Sequence, residues 1–163
     1  MHRTRLLLVI GVGFWSAIVA GRQGAPVGAL SKELRTRVQN ERFSIVTSIR
    51  GLPLGVRSGL ETLFGGGGLD IAEPGAAFQA GDVKANAKLP ARRMVAAGCS
   101  YEYCLIYYER AGKTLTWRVA LFRWTPELTQ FEWGGVAPAG LKTIEDIRRA
   151  VLSGAVKGPA EAW

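Results

Sequence analysis

The sequence predicts an α+β domain. Its centre is a four-stranded antiparallel β-meander over about residues 92–134, with helices packed on one face. Three observations predict it. Residues 92–134 hold short strand-like runs broken by turn residues. Segments on either side carry apolar residues at helical spacing. The only two cysteines, Cys99 and Cys104, fall opposite each other once the first hairpin is closed.

At the N-terminus, Arg3 and Arg5 precede residues 6–20, a stretch without charge. As a helix it rises about 22 Å, short of the roughly 30 Å of bilayer hydrocarbon. That length suits the core of a secretory signal peptide cleaved after Ala20. The alternative is an uncleaved anchor that holds the same domain at a membrane. Residues 1–20 are thus assigned to export, 21–30 to a tether, 31–158 to one α+β domain and 159–163 to a tail unless Trp163 is pinned.

Composition narrows the chemistry. The chain has 163 residues, 48% hydrophobic and 21% charged, enough to bury one core. His2 is the only histidine and lies in the export segment. The folded part then lacks the imidazole needed for Ser-His-Asp or Cys-His nucleophiles and for His-ligated zinc. No cofactor or metal site is expected.

Net charge is +8, and residues 21–60 contribute seven Lys/Arg against two Glu. Positive charge just beyond an apolar segment opposes its translocation. In an exported chain the same arm favours anionic surfaces such as lipid headgroups or acidic polymers.

Ser31 can cap a first helix running to about Phe43, with Leu34 and Val38 on its apolar stripe. Pro53 suits the first turn of a second. Val56, Leu60, Leu63 and Phe64 then share one face, and Gly65 ends it. Gly55 and Gly59 weaken this helix by about 1 kcal/mol each relative to alanine. The glycines at 65–68 form no phosphate loop, because no Gly-Lys-Ser/Thr follows; they read as a flexible connector. Residues 69–91 read as an irregular loop with one short strand, its carboxylates too sparse for calcium.

The meander register follows from three turns. A two-residue turn at Ala111 and Gly112 sets Tyr108 against Leu115, Ile106 against Trp117 and Cys104 against Val119. A loop at Thr125, Pro126 and Glu127 sets Leu121 against Phe131 and Val119 against Trp133. A loop over 100–103 sets Cys99 against Cys104, Ala97 against Ile106 and Val95 against Tyr108. All these pairs then lie on one apolar face. Directly opposed residues stand about 4.5–5.5 Å apart at Cα, which a disulfide tolerates. Cys99–Cys104 is expected to be one, as in an oxidising compartment. In the final helix, Thr143 and Asp146 form a capping-box pattern and Ile144, Ile147 and Val151 share a face.

The opposite sheet face either looks outward or is covered by the first helix or the 69–91 loop. It carries Tyr107, Arg118, Phe122 and Trp124, with Leu105 and Leu128 beside them. Tyr101 and Tyr103 sit on the tip held by the disulfide. These six aromatic and arginine residues form the candidate binding surface. The expected function is a non-catalytic binding or accessory module of the cell envelope, periplasmic or secreted. Its partner is a protein or an anionic envelope component, not nucleic acid. Membrane contact would run through residues 6–20 and the 21–60 arm. A carboxylate-based hydrolase using Glu102, Glu109 or Glu132 is the catalytic alternative, although no local motif ties these together.

Overall fold

The computed structural model describes residues 28–81, 86, 88–158 and 163. The expected export segment, and the 21–27 part of the tether, lie outside the described residues. No described helix is long and apolar enough to cross a membrane.

The fold is α+β. Three helices, α1 (Lys32–Asn40), α2 (Leu54–Leu63) and α3 (Ile144–Leu152), accompany a five-stranded antiparallel sheet. Strands β1 (Ser44–Val46), β2 (Arg92–Cys99), β3 (Tyr103–Arg110), β4 (Thr116–Trp124) and β5 (Thr129–Ala137) follow one another across it in chain order. The meander is therefore as expected, with one strand more. β1 has three residues and pairs Ser44 with Cys99 through Val46 with Ala97. Three residues are too few to show an alternation in sequence. Within 69–91, one isolated parallel bridge joins Ala72 to Arg93.

The helix ends follow from local chemistry. Ser31 caps α1 by accepting from the Leu34 N–H. Thr143 and Asp146 complete the capping box of α3, each side chain accepting from the other residue's backbone N–H. Those bonds hold the Asp146 carboxyl below its usual pKa. Gly65 follows α2 at φ 101°, in the left-handed region.

The helices do not share one face, which corrects the sequence expectation. Residues from α1 and α3 pack with Tyr103, Leu105, Tyr107, Val119, Leu121 and Trp133. Residues from α2 pack with Met94, Cys104, Ile106, Tyr108, Ala120 and Phe122 on the other side. β3 is buried along both faces from Tyr103 to Tyr108. The sheet is the middle layer of three.

Register explains the difference. In β2–β3 the expected pairs Cys99 with Cys104 and Ala97 with Ile106 are present. A bulge at Val95 then sets Met94, not Val95, against Tyr108. In β3–β4 the pairs are Tyr108 with Arg118, Ile106 with Ala120 and Cys104 with Phe122, three residues from expectation. A tight two-residue hairpin turn needs positive φ at its first central residue or at both. Neither Ala111 nor Gly112 has positive φ, and the loop runs from 111 to 115. The odd shift moves Val119 and Leu121 to the opposite face. In β4–β5, a bulge at Leu121/Phe122 pairs Leu121 with Trp133 and Phe122 with Phe131.

Gly59 has a role its helix propensity hides. A Cβ there would stand 2.8 Å from Cε1 of the fully buried Phe122 ring. The glycine lets α2 settle onto β4. Gly59→Ala is therefore expected to destabilise by about 1–2 kcal/mol, because overpacking outweighs the roughly 1 kcal/mol propensity gain. A urea midpoint equal to or above that of the parent would refute this.

Candidate functional site

Cys99 and Cys104 form the expected disulfide, with Cα atoms 4.1 Å apart. It closes a short turn in which the Ser100 N–H donates to the Tyr103 carbonyl at 2.7 Å. The Tyr103 N–H donates to the Ser100 Oγ at 3.1 Å.

The six residues of the expected binding surface are not brought together. Tyr101 is 88% exposed at the turn tip. It lines a shallow cleft with Thr36, Arg37, Asn40 and Arg42. Tyr103 and Tyr107 are buried against α1 and α3. The Tyr107 hydroxyl donates to the Pro138 carbonyl at 2.7 Å, and burial pushes its pKa up to about 12. Phe122 is fully buried on the other face, under α2. Trp124 is half-buried in a groove with Pro53, Leu54 and Leu128. Its indole Nε1 has no hydrogen-bond partner among the described residues. The residues expected on one outward face are thus divided between two interior faces, one under α1 and α3 and the other under α2. The three-residue register difference in β3–β4 divides them, and helices cover both sides.

The carboxylates of the catalytic alternative are also apart. Glu109 is held by Arg93 at 2.6 Å. Glu132 is on β5, with β4 between it and β3.

Arg118, from the expected surface, belongs to a different constellation. On the α2 side of the sheet, Arg92 pairs with Arg110 across β2–β3. One row inward, Met94, Tyr108 and Arg118 stand side by side on β2, β3 and β4. Arg92 and Arg118 are each only 7% exposed. Burial pulls both guanidinium pKa values below the usual arginine value, and for Arg92 the carboxylate of Asp70 partly offsets this. Burial likewise raises the Tyr108 pKa.

The partners of this cluster leave several of its donors unmet. Arg92 Nη1 is 2.6 Å from Asp70 Oδ2, and the Arg92 guanidinium lies 4.1 Å from the centre of the Phe64 ring. Arg92 Nη2 and Arg110 Nε donate to the main-chain oxygen of Trp163, at 2.5 and 3.0 Å. Asp70 is the one side-chain carboxylate that pairs with it among the described residues. Nε of Arg92, Nε and Nη1 of Arg118, and the Tyr108 hydroxyl are buried with no partner among the described residues. A buried charge without a partner costs on the order of several kcal/mol, and an unmet donor about 1–3 kcal/mol. Such a set of donors is suited to a bound oxyanion.

Sequence reasoning found Arg118 but not its neighbours. The register that the cysteines set puts Arg93 opposite Arg110; the bulge at Val95 brings Arg92 there instead. Trp163 is pinned, its ring edge-on to Phe131 with centroids 5.0 Å apart.

No protein-family model, curated protein or solved structure matches this chain.

Proposed function

We propose that the chain is a non-catalytic binding module exported to an oxidising compartment of the cell envelope. It takes an oxyanion, carboxylate or phosphate, at Arg92, Arg110 and Arg118. The observation that carries this reading is the pair of buried guanidiniums, Arg92 held by Asp70 and Arg118 with two nitrogens unpartnered among the described residues. Arginine presents a planar fork of donors that matches both anions. The basic N-terminal stretch with its uncharged core, and the Cys99–Cys104 disulfide, support export.

Arg118→Met tests the site. Replacing a buried, uncompensated charge with an apolar chain of similar length is expected to raise stability by about 1–2 kcal/mol. The same change removes anion binding. Inorganic phosphate at about ten times its dissociation constant is expected to stabilise the parent by about 1.4 kcal/mol. It should leave the variant unmoved. A variant less stable than its parent, or one equally stabilised by phosphate, would sink the reading. Export is checked by intact mass of the protein from fractionated cells. A full-length chain with both thiols free would overturn it.

A further inference from the structure

The oxygen seen at the arginine pair comes attached to an aromatic ring, and the fold makes room for both. Trp163 is half-buried. Its main-chain oxygen accepts from Arg92 and Arg110. Its ring leaves the arginines and crosses to β5, where it packs against Phe131 at an interplanar angle of 68°. A Cβ on Gly134 would stand 2.7 Å from Cη2 and 2.9 Å from Cζ3 of that ring. The absence of a side chain at Gly134 is therefore a notch the indole fills. In the register, Gly134 is opposite Ala120, and Arg118 is two residues along β4 from Ala120. The notch and the arginines thus lie on one continuous strip of the sheet.

The strip does not use all its donors on Trp163. Arg118 keeps two buried nitrogens unpartnered among the described residues, and the Tyr108 hydroxyl is likewise unmet. A ligand that fills the notch and brings its own oxyanion would meet the Arg118 and Tyr108 donors that Trp163 leaves over.

Resting on the oxyanion reading above, we propose that the ligand is the carboxyl end of a peptide that finishes in an aromatic residue. Trp163 is its tethered stand-in, held on the same contacts and displaced when the ligand binds. The aromatic edge contact and the charge-assisted bonds act together, so the two groups on one ligand bind more tightly than either alone.

Four probes separate the parts. N-acetyltryptophan carries ring and carboxylate, N-acetylalanine the carboxylate alone, N-acetyltryptophanamide the ring alone, and inorganic phosphate the charge alone. Each is titrated by calorimetry into the full chain and into Trp163→Ala. N-acetyltryptophan is expected to bind Trp163→Ala at least tenfold more tightly than either of its single-group analogues does. It is also expected to bind this variant at least tenfold more tightly than the unaltered chain. Equal affinity for N-acetylalanine and N-acetyltryptophan, or no gain on removing the Trp163 ring, would overturn the inference.

If Trp163→Ala fails to fold, the unaltered chain still decides. Saturating N-acetyltryptophan should move the Trp163 indole N–H resonance to its solvent-exposed position, and an unmoved resonance would overturn displacement. The two readings fail separately. Phosphate and N-acetylalanine binding that Arg118→Met abolishes would leave the oxyanion reading standing even where the ring adds nothing. Absence of any binding sensitive to Arg118 overturns both.

Discussion

Replacing Phe122 with alanine is expected to destabilise the domain by about 3–5 kcal/mol, the usual cost of removing a buried phenyl ring. Phe122 has no exposed surface. Its ring meets Phe131 edge-on at 5.6 Å, and Gly59 of α2 lies directly over it. Against a total stability of about 5–15 kcal/mol, the change is large. It corresponds to a fall in Tm of about 10–20 °C. Thermal unfolding followed by circular dichroism measures it. The result also decides between two pictures of the sheet. A phenylalanine on an outward face would cost within about 0.5 kcal/mol. A loss that small would mean α2 does not cover this side.

Alkaline unfolding is the second large effect. Burial raises the pKa of Tyr103, Tyr107 and Tyr108 alike, and that of Tyr107 to about 12. Tyrosine is neutral when protonated, so the folded state favours the protonated form. Where the folded pKa lies above the unfolded value near 10, stability is complete below pH 10. It is lost as pH rises through the folded value. For Tyr107 alone the shift corresponds to about 2–3 kcal/mol. Tyr103 and Tyr108 act in the same direction. The domain is therefore expected to unfold cooperatively between about pH 10 and 12, read by far-ultraviolet circular dichroism and tyrosinate absorbance. Tyr108→Phe offers the sharper comparison. Its hydroxyl has no partner among the described residues, so the variant is expected to match or exceed the parent at pH 7. It should also unfold at higher pH. A variant that loses stability at pH 7, or keeps the parent's alkaline midpoint, would show that the hydroxyl is bonded.

The parts of the fold legible in sequence were those fixed by short-range chemistry. The caps at Ser31 and Thr143, the helical stripe of Val56 and Leu60, and the Cys99–Cys104 pairing each depend on residues close along the chain. The faces of the sheet depend on turn lengths, and there one-residue differences decide. Val95 and the Leu121/Phe122 step each introduce a bulge that no composition marks. The 111–115 loop is three residues longer than the turn its Ala-Gly suggests. One signal for burial on both faces was nonetheless present. From Tyr103 to Tyr108 the chain carries no charged residue, and such a run suits a strand covered on both sides. The amphipathic pattern sought elsewhere obscured it. The arginine cluster was illegible for a related reason. Its members come from β2, β3, β4 and the end of the chain, so only the correct register assembles them.

The borders of the sheet bear on how this protein can meet others. At one side stands β1, three residues long. At the other, β5 bonds at Val136 to the returning chain: its N–H donates to the Lys157 carbonyl at 2.6 Å, and the Lys157 N–H donates back at 2.8 Å. An extended peptide that joined the sheet by backbone pairing would find a very short template on one border and an occupied position on the other. Both arrangements guard against edge-to-edge aggregation.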